Sequence, residues 1–258
     1  TIKNGSNINS TNGGFMFNDS TTHPNSTLYV YENATINSLQ SYKTYPNYLA
    51  IAGDVSDTLT INNGLFATSG YAIRVDHPGI IDIKNSLSIA SGAYFNGYAG
   101  TVRMSCTTNN SVTLGSSANN NFWNLEISMQ NNAILSLGRA TLIKNNLIIS
   151  SGYLNPANYD LTIYGNWTNS IGEGHFTQGT GAVIFAGQQS STCYGEHFNK
   201  LVNQKYETEQ IIIPEGSAVR IASYDWVDQC GTLRVNGGFL MIDDLVDNGI
   251  YGFWRVDA

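Results

Sequence analysis

From Thr27 onward the chain alternates apolar and polar residues in short bursts. Examples are Leu28-Tyr29-Val30-Tyr31, Tyr48-Leu49-Ala50-Ile51, Leu59-Thr60-Ile61, Ile73-Arg74-Val75 and Leu87-Ser88-Ile89, most of them bounded by Asn, Asp, Gly or Ser. An apolar residue at every second position faces one side of a β-strand. Bursts of about 3–5 residues between turn formers therefore predict many short strands. No stretch carries a 3.6-residue apolar period free of Gly and Asn, so no long helix is expected. Residues 1–26 are polar apart from Phe15-Met16-Phe17 and read as an irregular leader or first coil, and 27–258 as a single domain.

The bursts repeat. The motif Leu-x-(Ile/Val)-x-x-Gly, followed two residues on by an aromatic or aliphatic side chain, occurs at Leu59–Phe66, Leu87–Tyr94, Leu147–Leu154 and Leu233–Leu240. Its glycines are Gly64, Gly92, Gly152 and Gly238, expected as corners with positive φ. A longer echo links Gly100–Met104, which leads to Phe122–Ile127, with Gly181–Phe185, which leads to Phe198–Val202. One strand–turn–strand unit cannot bury its apolar face, whereas stacked units can. With about 20–30 residues per coil, the chain would make roughly nine to twelve coils. At about 4.8 Å per coil this is a rod on the order of 50 Å long. The expected fold is all-β, a right-handed parallel β-helix, the hand following from that of parallel crossovers. The alternative is a sandwich or barrel, disfavoured by the very short strands and the lack of hairpin signatures.

Composition supports turns and restrains function. Asn numbers 31, equal to the 19 acidic plus 12 basic residues, and Gly adds 26. Charged residues are 12%, about half the usual share for a soluble domain. A net charge of −7 with no basic run argues against a nucleic-acid partner. No apolar run approaches the roughly 20 residues of a spanning helix. Cys106, Cys193 and Cys230 show no metal spacing; if a disulfide forms, Cys193–Cys230 is the expected pair, because each sits in a turn-like context.

Two phrases carry a resemblance: Leu161-Thr-Ile-Tyr-Gly-Asn-Trp167 and Gly179-Thr-Gly-Ala-Val-Ile-Phe185. They are similar to the degenerate repeats of large secreted bacterial surface proteins built as right-handed parallel β-helices. The resemblance implies an extracellular or cell-surface setting and a place within a longer chain or assembly, with neighbouring modules or subunits meeting the solenoid ends. It implies no single activity, since such repeats occur in adhesins, stalks and carbohydrate-active enzymes.

Three functions follow as expectations. The first is a non-catalytic structural or adhesive stalk. The second is a carbohydrate-binding module for polysaccharide or host and cell-surface glycans, since exposed rings stack on sugar faces. Its candidates are Tyr42, Tyr45 and Tyr48 in one loop and Tyr224 and Trp226 in another, within a wider set that includes Tyr94, Tyr98, Trp123 and Tyr206. It predicts a row of exposed aromatics along one sheet. The third is polysaccharide cleavage by acids such as Asp225, Asp228, Asp243 and Asp244. Asp228, Asp243 and Asp244 are also candidate Ca²⁺ ligands, Asp228 and Asp244 through stacking on adjacent coils; otherwise no cofactor is expected. His175 beside Glu173 and His197 beside Glu196 read as turn residues with outward polar tips, and His77 before Pro78 reads as a loop position.

Overall fold

The computed structural model describes residues 15–18, 25–118, 120–177, 179–226, 231–245 and 254–257. No helix occurs among them. The strands stack as a parallel β-solenoid of about 10 turns. Register partners on successive turns lie between 18 residues apart (Val183 to Leu201) and 26 apart (Trp167 to Cys193). This spread is why the sequence repeat is so degenerate.

Each turn visits three sides in order. The first is an 11-stranded parallel sheet running from Ser26–Tyr29 to Phe239–Leu245. The second side holds Ile80–Ile83, Thr101–Met104, Asn124–Ser128, Leu147–Ser151 and Trp167–Asn169, and continues in a four-stranded sheet that begins at Ser191–Thr192. The third holds Ser86–Ile89, Asn110–Leu114, Ile134–Leu137 and Tyr153–Asn155. The period-2 pattern sends alternate residues inward, where they stack in columns. One column on the second side runs Leu59, Ile81, Val102, Leu125, Leu147 and Trp167. All six are at most 3% exposed, so the core is one continuous apolar stack along the rod.

The sides are not separate throughout. At the N-terminal end, Ala34–Tyr42 and Thr58–Ala67 run unbroken from the second side onto the third. Phe15–Asn18 pairs with Leu39–Tyr42 of the first of these. Toward the C-terminus the fused corner is a different one. Glu196–Lys205, Ala218–Trp226 and Phe239–Leu245 each follow the second-side strand directly and run on into the first-side sheet. Between these regions lie coils with three short strands each.

The motif maps onto corners rather than coils. The copies at Leu59, Leu147 and Leu233 turn from the second side toward the third, whereas the copy at Leu87 turns from the third toward the first. Gly92 and Gly152 have φ of 76° and 74°. Gly64 and Gly238 are not left-handed, and this corrects the expectation at those two positions. Gly64 lies inside the unbroken strand Thr58–Ala67, where a Cβ would come within 2.7 Å of Ser86 O. In the fourth copy the left-handed residue is Gly237, at φ 71°, while a Cβ at Gly238 would meet Pro214 O at 2.5 Å.

The asparagine excess has a physical cause. Backbone N–H groups left over at corners need acceptors. Side-chain carbonyls of the preceding coil supply them: Asn25 Oδ1 to Tyr48 N, Asn33 Oδ1 to Thr58 N, Asn109 Oδ1 to Ile134 N and Asn166 Oδ1 to Thr192 N, at 2.8–3.1 Å. Asn146 does the same for Asn166 N, and Asn120 accepts from Phe95 N. Asn25, Asn33, Asn109 and Asn166 all stand in Asn-x-Ser/Thr sequences. In this fold that pattern supplies corner acceptors.

Candidate functional site

Two concavities lie along the outside of the first side. The first, about 360 Å³, is lined by Tyr45, Pro46, Tyr48, Ala72, Ile73, Arg74, Tyr94, Asn96 and Tyr98. The loop before Leu49–Ala52 brings Tyr45 over the strand; the Tyr45–Pro46 peptide is cis, and Tyr45 N donates to Gly70 O at 2.9 Å. The Tyr45 ring stacks on Tyr94, centroids 4.1 Å apart and planes at 20°. Arg74 points outward from Ala72–Val75, its guanidinium carbon 4.1 Å from the Tyr48 ring centre and 5.5 Å from that of Tyr98. Its Nε donates to Asp76 at 2.8 Å. The cation is thus held flat among rings by stacking and by one ion pair.

The second concavity, about 510 Å³, is lined by Trp123, Lys144, Asn145, Tyr164, Gly187, Gln188, Gln189 and Tyr206. Tyr98, Trp123, Lys144 and Tyr164 occupy one position on successive coils. Each directly follows the last first-side residue aligned in the ladder, respectively Gly97, Phe122, Ile143 and Ile163. Lys144 N–H donates to Phe122 O, and Tyr164 N–H to Ile143 O. Lys144 Nζ lies 5.7 Å from the Tyr98 ring centre, so a wall residue of one concavity contacts a wall residue of the other. Tyr45, Tyr98, Trp123, Tyr164 and Tyr206 are between 36% and 55% exposed. With Tyr48 and Tyr94 they form an aromatic track across the outside of the first side, from Tyr45, Tyr48 and Tyr94 at the starting ends of its strands to Tyr98, Trp123, Tyr164 and Tyr206 past their finishing ends, over about seven coil spacings, or roughly 30 Å.

Of the sequence-stated candidates, Tyr45 and Tyr48 lie in the track with Tyr94, Tyr98, Trp123 and Tyr206. Tyr42 does not: it packs edge-on against Tyr71, centroids 5.3 Å apart. Tyr224 and Trp226 sit opposite Leu201 and Asn203 in the first-side ladder, and their side chains lie outside the described residues. Arg74, Lys144 and Tyr164 were not anticipated. Their signal is positional, the residue just past a first-side strand or central within it, and it emerges only once the coils are in register.

The acidic candidates fall largely outside the described residues. Asp228 is among the undescribed residues, as are the side chains of Asp225, Asp243 and Asp244. In the ladder Ser223 stands opposite Asp244. Among the described residues no three of His, Cys, Asp and Glu come together to hold a metal ion.

The histidine and cysteine expectations change more. Cys193 is a free, buried thiol in place of the expected bridge to Cys230, which lies outside the described residues. It bridges Trp167 on the core side, and burial first, then the nearby Glu196 charge, push its pKa up. Cys106 is also free and buried. His77 lies between strands and is fully buried; its Nδ1 accepts from Gly79 N at 2.9 Å, and its Nε2 has no partner among the described residues. His175 stacks on Tyr153, centroids 4.7 Å apart. Glu196 is fully buried, bonded by Asn169 Nδ2 at 2.7 Å and by the N–H groups of His197 and Gly174. Trp167, at the same level, is edge-on to Phe176 and Phe198 and belongs to the core.

No family model matches the chain, and no curated protein or solved structure does. What the topology defines is the class, a parallel β-solenoid. Its function has to be argued from the site.

Proposed function

We propose that this chain is a module of a secreted or cell-surface bacterial protein that binds an extended polysaccharide along the outside of its first side. The observation that carries this is the aromatic track: Tyr45, Tyr48, Tyr94, Tyr98, Trp123, Tyr164 and Tyr206 line two neighbouring concavities on that side. Rings at coil spacing offer repeated stacking platforms for pyranose faces, and Asn96, Asn145, Gln188 and Gln189 offer amides for hydroxyls. The stacked coils fix the rings in advance, so little ordering cost attends binding. The sparse charge and the resemblance to secreted bacterial β-helix repeats support the extracellular setting. Stalk and binding module combine here: the rod supplies stiffness and the track supplies contact.

The test is retention on a panel of insoluble polysaccharides, with affinity electrophoresis in soluble ones. The wild-type chain is retained by at least one polymer. A Trp123→Ala/Tyr164→Ala variant with an unchanged far-ultraviolet circular dichroism spectrum loses that retention. If the wild type binds no polymer, or if the double variant binds equally well, the proposal is wrong.

A further inference from the structure

The track has an electrostatic character that its aromatic content does not require. The chain holds 19 acidic and 12 basic residues, for a net charge of −7. Yet the residues lining the two concavities include Arg74 and Lys144 and no carboxylate. Arg74 is already paired with Asp76. Lys144 makes no ion pair among the described residues; its one charged-group contact is the Tyr98 ring. It is half-buried, in a concavity shared with Trp123 and Tyr164.

We infer that the polysaccharide this track takes is anionic, with a carboxylate or sulfate group seated on Lys144 between Trp123 and Tyr164. This rests on the glycan-binding reading above and names the chemistry of its ligand. An ammonium offers three donors and a full charge, and bonds to anionic oxygens are about twice as strong as neutral ones. Ring walls on either side displace water, which strengthens the attraction relative to an open surface. A neutral glycan would leave this cation partly desolvated without compensation. The surplus of acid elsewhere matters too: a protein of net charge −7 repels polyanions in general, so attraction has to be local to the track.

The experiment is affinity electrophoresis and isothermal titration calorimetry of the full chain with three probes. Polygalacturonate carries carboxylates only, dextran sulfate carries sulfates, and dextran is neutral. At least one polyanion is expected to bind roughly tenfold or more tightly than dextran, a margin of one ion-pair's worth of affinity. Lys144→Gln should weaken polyanion binding about tenfold and any dextran binding by clearly less. Added salt should weaken the wild type more than the variant, because exposed charge attraction is screened. Binding of only polygalacturonate assigns the group to carboxylate; binding of only dextran sulfate assigns it to sulfate. Either result supports the inference. If dextran binds as tightly as both polyanions, or if Lys144→Gln leaves polyanion binding intact, the inference is overturned while the glycan reading stands. If none of the three binds, and the wider polysaccharide panel also fails, both fall together.

Discussion

The two ends of the solenoid solve the same problem at different corners. Near the N-terminus, Ala34–Tyr42 and Thr58–Ala67 fuse the second and third sides; toward the C-terminus, Glu196–Lys205 and its two successors continue unbroken into the first side. One strand of each set, Ala34–Tyr42 and Glu196–Lys205, runs out into a buried lysine, Lys43 or Lys205, each 1% exposed. Each lysine's backbone N–H donates to a side chain two residues earlier, Ser41 Oγ or Asn203 Oδ1. That side chain in turn bonds a carbonyl of the next coil, Ala72 O or Gly231 O. Straightening one corner concentrates the turning at the next, and the same polar stitch secures it in both places. The coils between them divide the turning among three corners, and the first half of the stitch recurs there: Gly79, Ala157 and Ile171 N–H donate to side chains two residues earlier, His77 Nδ1, Asn155 Oδ1 and Asn169 Oδ1.

That division makes the three-corner region the more sensitive to a corner glycine, and here the largest effect is expected. Gly152 has φ 74°, and a Cβ there would lie 2.4 Å from Met129 Cβ and 2.7 Å from Ala133 O. Gly152→Val combines a left-handed β-branched residue with a core collision, about 3–5 kcal/mol in all. Gly70, beside the fused strand Thr58–Ala67, has φ 82° but open space around it. Gly70→Val should cost only the conformational part, about 1–2 kcal/mol. Urea unfolding of the two variants checks the ordering. Equal losses would mean that corner packing plays no part.

The next largest effect tests the buried lysine side chain at the end of the fused strand. Lys205 Nζ donates to Tyr164 O and Ala186 O, both at 2.7 Å. Lys205→Ala leaves a cavity and two carbonyls without their donor, a loss of about 2–4 kcal/mol. Burial lowers the Lys205 pKa to about 8, against a smaller opposing pull from Glu209. The unfolded chain therefore holds this proton to higher pH than the folded one. Stability should rise as pH climbs from about 8 toward 10.5, the unfolded value, and that rise should vanish in Lys205→Ala. A denaturant midpoint that is flat over this window in the wild type would remove the assignment.

Two further buried groups separate the ends in the opposite direction of pH. His77 has its pKa lowered by burial, against Asp57 and Asp54. Its contribution is lost as pH falls below about 6.5, because the unfolded chain then takes up the proton first. Glu196 has its pKa raised by burial, against the donors His197 N, Asn169 and Gly174 N, with Glu173 adding to the rise. Its contribution is present below the ordinary carboxylate range and is lost as pH rises through the folded value. Acidification below about pH 6.5 should therefore loosen the corner around His77 and Gly79, while the corner around Asn169 and Glu196 tightens as pH falls through the raised Glu196 value. Amide exchange, corrected for the intrinsic pH dependence, reads both. Parallel changes at the two corners would contradict the scheme.

How much of this the sequence carried follows from which forces are local. Alternation at Leu59-Thr60-Ile61 or Leu147-Ile148-Ile149 is local, and it placed the strands and their inward faces correctly. Register is not local. Coils of 18 to 26 residues hide the fact that Tyr98, Trp123, Lys144 and Tyr164 share one position, so Tyr98 and Trp123 stand out in the sequence while Lys144 and Tyr164 do not. Burial of a polar residue is not local either: Glu196, Lys205 and His77 are buried among groups drawn from other coils. The Asn-x-Ser/Thr sequences carry no such signal in the chain alone, because an acceptor's purpose is visible only in the coil it serves.

The smallest expected effect bears on what both regions share. Asn33 Oδ1 accepts from Thr58 N at 3.0 Å, in the fused N-terminal region; Asn109 Oδ1 accepts from Ile134 N at 2.9 Å, among the three-corner coils. Both asparagines are exposed, so water competes for the freed N–H in either variant. Asn33→Ala and Asn109→Ala should each cost about 0.5–1.5 kcal/mol, and by similar amounts. The sites are several coils apart with no shared partner, so the double variant should show the sum within about 0.5 kcal/mol. Similar, additive losses would make the corner acceptor an independent unit of the repeat, indifferent to which corner is fused. A large cost at Asn109 alone would instead tie it to the sharpness of the three-corner turn, and the stitch and the acceptor would then be alternatives rather than layers of one design.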